Sequence, residues 1–127
     1  MLPLRFGRVW LAAGFLFLGV GLYSALTPNP GGLALLNDKL VHGAGFMAFM
    51  LWFGGIVEPR RVPRVALALA LYGLLIELLQ SLTATRQAEF LDLAADVAGV
   101  LLGWLLGAAG LSRWCTVLES WLVPRRH

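Results

Sequence analysis

"LYGLLIELLQSLTATRQAEFLDLAADVAG", residues 71–99, holds the decisive pattern of the chain: two apolar runs that carry Glu77, Gln80, Asp92 and Asp96, joined by a polar segment with Arg86 and Glu89. Outside this stretch the sequence is far more uniformly apolar. Of its 127 residues 59% are hydrophobic and 13% charged, against about 25% charged in a typical soluble domain. That leaves too little polar surface to cover a globule, so lipid is the expected solvent for most of the chain.

Four apolar stretches are legible, roughly Val9–Leu26, Leu40–Val57, Val65–Leu82 and Leu91–Leu111. A membrane span needs about 20 residues at a rise of about 1.5 Å each. All four stretches qualify, the first three near the short limit. The connections "TPNPGG" (27–32) and "EPRRVPR" (58–64) carry Pro and Gly breakers, and "TATRQAE" (83–89) is polar. The expected fold is therefore all-α, a four-span antiparallel bundle over residues 1–112. Arg5 and Arg8 before an apolar core that ends in Tyr-Ser-Ala would also fit a signal peptide. Cleavage there would leave three spans.

Residues 113–127 read differently. Trp114, Val117, Leu118, Trp121 and Leu122 share one helical face over a segment too short to span, and Pro124, Arg125 and Arg126 follow. An amphipathic helix lying in the membrane interface, with a basic tail, is expected. The single cysteine, Cys115, excludes an internal disulfide and a cysteine-based metal cluster. No cofactor and no metal is expected. Nine of the ten basic residues are scattered arginines, with no nucleic-acid-binding stripe.

Basic residues near span ends favour the cytoplasm. Arg5, Arg8, Arg60, Arg61, Arg64, Arg113, Arg125 and Arg126 fall on one side of the four-span arrangement, and Lys39 and Arg86 on the other. Both termini are thereby placed in the cytoplasm of a multi-pass membrane protein. Asp38, Lys39 and His42 then open the second span at the outer face. Glu77 and Gln80 close the third, and Asp92 and Asp96 open the fourth. Glu77 and Asp96 each lie five residues inside their stretches, about 8 Å deep. Buried charge at such depth is costly and needs partners. Glu77 and Gln80 are spaced i, i+3, and Asp92, Asp96, Gly99 and Gly103 share one face. Gly99 and Gly103 invite close helix packing. Glu89 is expected to be solvated.

"NDKLVHGAGFMAF" (37–49), "IELLQ" (76–80) and "TRQAEFLDLAADVAGVLLG" (85–103) together resemble the VanZ-like family of small bacterial membrane proteins. The family pattern opens a helix with Asp-Lys-x-x-His-Phe and closes the next with Glu-x-x-Gln. It continues as Arg-x-x-x-x-x-Asp-x-x-x-Asn-x-x-Gly. Asp38, Lys39, His42, Glu77, Gln80, Arg86, Asp92 and Gly99 match it. Gly43 stands where an aromatic residue is usual, and Asp96 where Asn is common. The resemblance implies a role at the cell envelope linked to resistance to teicoplanin-type glycopeptides. It brings no catalytic activity.

The leading expectation is an outward pocket of Asp38, Lys39, His42, Glu77, Gln80, Arg86, Asp92 and Asp96 that binds a lipid or glycan headgroup. Membrane lipids, an envelope lipid precursor or a lipoglycopeptide are the expected partners. Lys39 and Arg86 would contact an anionic group. Two alternatives stand beside it. One is an enzyme using the histidine and carboxylates as acid and base, with Ser81, Thr83 and Thr85 as nearby hydroxyls. The other is a small proton-coupled transporter, although the ionisable groups stop at one face.

Overall fold

The computed structural model describes residues 1–27, 38–83 and 89–122. All regular structure among them is helical: α1 (Gly7–Leu26), α2 (Asp38–Gly54), α3 (Val62–Ser81), α4 (Phe90–Ala108) and α5 (Trp114–Leu122), with 3-10 turns at Pro59–Arg61 and Leu111–Arg113. Among the described residues three helical segments are long and apolar enough to cross a membrane: Gly7–Leu26, Pro59–Ser81 and Phe90–Ala108. The expectation of four such spans is corrected here. The second helix is 17 residues long and ends at Gly54, three residues before the apolar stretch does. Gly54 and Gly55 break it, and the chain turns through hydrogen bonds from Gly55 N to Leu51 O and from Ile56 N to Phe53 O. A side chain on Gly55 would collide with the indole of Trp114, which closes over that turn. The last apolar run also stops short of Leu111, because Gly110 takes φ +122°.

Polarity is distributed inside-out relative to a soluble protein. Leu67, Leu71, Leu74, Leu75 and Leu78 form an exposed stripe along α3, and Leu101, Leu102 and Leu105 another on α4. The buried side chains include Glu77, Gln80, Asp92 and Asp96. An apolar exterior around a polar interior suits helices solvated by lipid.

At the centre, α2 packs on α4 almost backbone to backbone. A methyl group on Gly99 would overlap the carbonyl of Gly43, and one on Gly103 would lie 2.8 Å from the Met47 carbonyl oxygen. Small residues on one stripe permit this approach, and dispersion over the contact holds the helices together where lipid offers little hydrophobic drive. Phe46, Phe49 and Met50 of α2 fill the remaining core with Leu69 and Ile76 of α3 and Val100 of α4. Helix α1 forms an outer wall. It is held by Tyr72 Oη donating to Leu18 O (2.6 Å) and by Phe17 against Phe49 (ring centroids 4.6 Å).

Helix α5 is amphipathic as expected, with Trp121 and Leu122 exposed. Trp114 departs from the expected lipid-facing stripe and turns into the bundle. Its ring lies 5.6 Å from that of Trp10 and 4.8 Å from that of Trp52, and its Nε1 donates to Leu51 O at 3.0 Å. Glu119 completes the dock. Its carboxylate accepts the backbone N–H of Arg5 (2.8 Å) and Phe6 (2.9 Å) and the indole N–H of Trp10 (2.8 Å). These are donors at the start of α1, where a helix has no internal acceptors to offer.

Candidate polar site at one end of the bundle

The alternation of helices brings the end of α1, the start of α2, the end of α3 and the start of α4 to one end of the bundle. The sequence pattern had assigned its polar residues to this end. Lys39 sits at the mouth, half-buried. Its Nζ lies 2.9 Å from Glu89 Oε2 and 3.4 Å from Asp92 Oδ1, which ties α2 to the start of α4. Glu89, expected to be solvated, is exposed but engaged in this pair. A signal for it was available: Glu89, Asp92 and Asp96 continue one face at i, i+3 and i+7.

Behind the mouth, His42 Nδ1 lies 2.9 Å from Asp96 Oδ1. This pairing depends on the glycine crossing, which brings the α2 and α4 backbones together one residue beyond His42. Asp96 is fully buried, and its Oδ2 occupies the space that a side chain on Gly73 of α3 would need, 2.9 Å from that position. Gly73, Glu77 and Gln80 thus form one inward face of α3 at i, i+4 and i+7. Glu77 Oε2 accepts the backbone N–H of Glu89 at 3.0 Å, so a carboxylate of α3 holds the residue that precedes α4. Gln80 reaches the opposite way, and its Nε2 donates to Ala25 O of α1 at 2.9 Å. The contribution of α1 to this end was missed, since nothing in its apolar sequence marks a backbone carbonyl as a partner.

The fold therefore brings Lys39, His42, Glu77, Gln80, Asp92 and Asp96 together. Asp38 is the first residue of α2, and its side chain lies outside the described residues. Arg86 and Thr85 also fall outside them. The Ser81 and Thr83 hydroxyls donate to Leu78 O and Gln80 O in their own turn of helix. Neither is oriented by a base.

Three buried acceptor atoms have no hydrogen-bond donor among the described residues, Glu77 Oε1, Gln80 Oε1 and Asp96 Oδ2, and Asp92 Oδ1 has only the Lys39 ammonium at 3.4 Å. Native interiors leave few such atoms unserved, because each costs about 1–3 kcal/mol. The cluster is thus a concentration of unused acceptor capacity and negative charge. A separate, largely apolar cavity of about 520 Å³ opens at the far end of the bundle between Met50, Trp104, Gly107 and Arg113. It shares no residue with the polar cluster.

The VanZ/LLP1 family model matches residues 13–110, which covers every helix that builds the polar end. The chain belongs to the VanZ/LLP1 family. No curated protein and no solved structure matches it. The matched segment includes Lys39, His42, Glu77, Gln80, Asp92 and Asp96, so this VanZ-family chain keeps its polar cluster within the family region. The dock made by α5 lies beyond that region.

Proposed function

We propose that this chain is an envelope protein of the bacterial inner membrane whose polar cluster binds a lipid or glycan headgroup at the outer face. The observation that carries the reading is the set of three buried acceptors on Glu77, Gln80 and Asp96 that have no donor among the described residues. A ligand that satisfies them must bring donors, as sugar hydroxyls, amides or an ammonium do. This shifts the expected chemistry away from a bare anion, since Lys39 already spends its charge on Glu89 and Asp92. Arg5, Arg8, Arg60, Arg61, Arg64 and Arg113 lie at the opposite end from Lys39, which supports cytoplasmic termini.

Occupation of such a pocket by an envelope precursor or by the lipid-tailed antibiotic is the route by which the family's teicoplanin link would reach this chain. The test is ultraviolet crosslinking of the chain in native membranes to photoactivatable lipids with amino-sugar or ethanolamine headgroups. Crosslinking that falls in Asp92→Asn and Glu77→Gln supports the reading. Equal crosslinking in both variants and the parent chain removes it.

One observation favours a second reading. A histidine held by a carboxylate at 2.9 Å is the arrangement of an oriented general base. In an enzyme of this kind His42 would act on an envelope lipid or glycan, with Asp96 fixing its tautomer. Turnover of labelled envelope lipids that is lost in His42→Gln would select this reading over simple binding. A transmembrane proton relay finds less support, because Glu77, Gln80, Asp92 and Asp96 all lie at one end of the bundle.

A further inference from the structure

We propose that His42, Glu77 and Asp96 form a binding site for one divalent transition-metal cation, of the zinc or manganese class, buried between α2, α3 and α4. One ligand atom from each residue lies within 4.8 Å of the other two. Three different helices contribute them, so the grouping is a product of tertiary packing and not of one acidic run. Two further features point into the same space. Glu77 Oε1 and Asp96 Oδ2 have no donor among the described residues, on side chains that are 7% and 0% exposed. Gly73 lets the Asp96 carboxylate press against α3, where a Cβ would stand 2.9 Å from its Oδ2.

The donor set selects the ion. One imidazole nitrogen with two carboxylates suits zinc, manganese or ferrous iron, whereas calcium and magnesium prefer oxygen alone. Two atoms each about 2.1 Å from one ion stand about 3.0 Å apart across an octahedral edge and about 3.4 Å apart in a tetrahedron. The His42–Asp96 pair already sits at 2.9 Å, and the Glu77 ligand atom, within 4.8 Å of both, would turn inward to complete the set. Coordination through Nδ1 takes the imidazole tautomer with its hydrogen on Nε2, so the carboxylate contact is exchanged for a shared ion. The charge also closes: two carboxylates and a neutral histidine leave two negative charges in an apolar surround, which a dication cancels. Three protein ligands leave room for a fourth from water or a ligand, the open arrangement of non-structural sites.

The proposal uses the same cluster as the headgroup reading but does not require a lipid. Its test is therefore run in detergent on delipidated, metal-stripped chain carrying no polyhistidine tag. Zinc or manganese chloride is added and bound metal is measured after desalting, with cobalt absorption as a second readout. A single ion per chain is expected, retained in His127→Ala, the only other histidine position. Removing an outer-shell partner commonly weakens a site by about 10–100-fold, and His42→Gln, Glu77→Gln or Asp96→Asn should weaken it at least that much. If a variant fails to fold, imidazole nitrogen shifts of His42 on zinc addition, in the His127→Ala chain, give the same answer on a wild-type site. No stoichiometric binding, unshifted His42 nitrogens, or binding that survives His42→Gln overturns the proposal. A chain that takes up no metal yet crosslinks lipid loses this inference and keeps the headgroup site.

Discussion

Gly99 of α4 rests on the backbone of Gly43 of α2 with no side chain between them, yet the two glycines are not equivalent. A methyl group on Gly99 overlaps the Gly43 carbonyl, whereas one on Gly43 meets only the Ala95 carbonyl oxygen at an ordinary 3.4 Å. Backbone cannot rotate aside as a flexible side chain can. Gly99→Ala should therefore cost about 1–3 kcal/mol, and Gly43→Ala should be near neutral. Thermal unfolding in detergent compares the two; equal midpoints would remove the crossing as the organiser of the site.

Glu77 has two separable roles, one for each oxygen. Its Oε2 accepts the Glu89 N–H, and Oε1 faces the cluster without a donor. Glu77→Gln keeps one carbonyl-type acceptor for Glu89 and should fold nearly normally. Glu77→Ala loses the acceptor and should be less stable by about 0.5–2 kcal/mol, the usual range for a helix cap. Lipid crosslinking should fall in both. A Gln variant as unstable as the Ala variant would mean that the charge, not the hydrogen bond, holds α4.

The Glu119 dock should be acid-labile. Burial pushes its carboxyl up, but the hydrogen bonds from Phe6, Arg5 and Trp10 and the charge of Arg5 outweigh this and hold it below the ordinary value. An acid with a depressed folded-state value adds stability that is complete above the unfolded value of about 4.3 and is lost as pH falls through the folded one. Fluorescence of the Trp10, Trp52 and Trp114 cluster should thus change below about pH 4. Glu119→Gln should remove that step and loosen α5 at neutral pH.

Cys115 is fully buried, and burial followed by the nearby charge of Glu119 pushes its thiol up to about 11. At pH 8 almost no thiolate forms, so maleimide should not label the native chain. Trp114→Ala should expose it. Rapid native labelling would show that α5 undocks readily.

Topology can be read in a Cys115→Ser background. A cysteine at position 85 should react with an impermeant reagent applied outside, and one at position 61 should not. The reverse pattern would turn the polar end toward the cytoplasm and exclude the antibiotic-facing role.

Much of this arrangement was legible in the residues. The i, i+3 and i, i+4 spacing of Glu77, Gln80, Asp92 and Asp96 placed them on inward faces before any coordinates, because helical period alone decides which side chains share a face. The Gly99 and Gly103 contact was legible for the same reason. The partners of Lys39 were not, since a long side chain finds them by tertiary proximity, here Glu89 and Asp92. The role of Glu119 was not legible either, since the donors to its carboxylate lie more than a hundred residues away, where no local pattern reaches. The end of α2 had a local sign in Gly54-Gly55, but the Trp114 indole that closes over Gly55 had none.

The carboxylate of Glu119 also imposes an order on assembly. Residues Arg5 and Glu119 stand 114 positions apart, so α1 leaves the ribosome and meets the membrane long before its acceptor has been synthesised. Through most of translation the first helix has a loose start, its leading N–H groups dependent on water or headgroups. The arrival of α5 supplies their carboxylate acceptor, and the same event buries Cys115 and brings the third indole of the tryptophan cluster into place. Docking of α5 is thus recorded chemically in one thiol: Cys115 is sealed when the helix is docked and would be open to reagent when it is not.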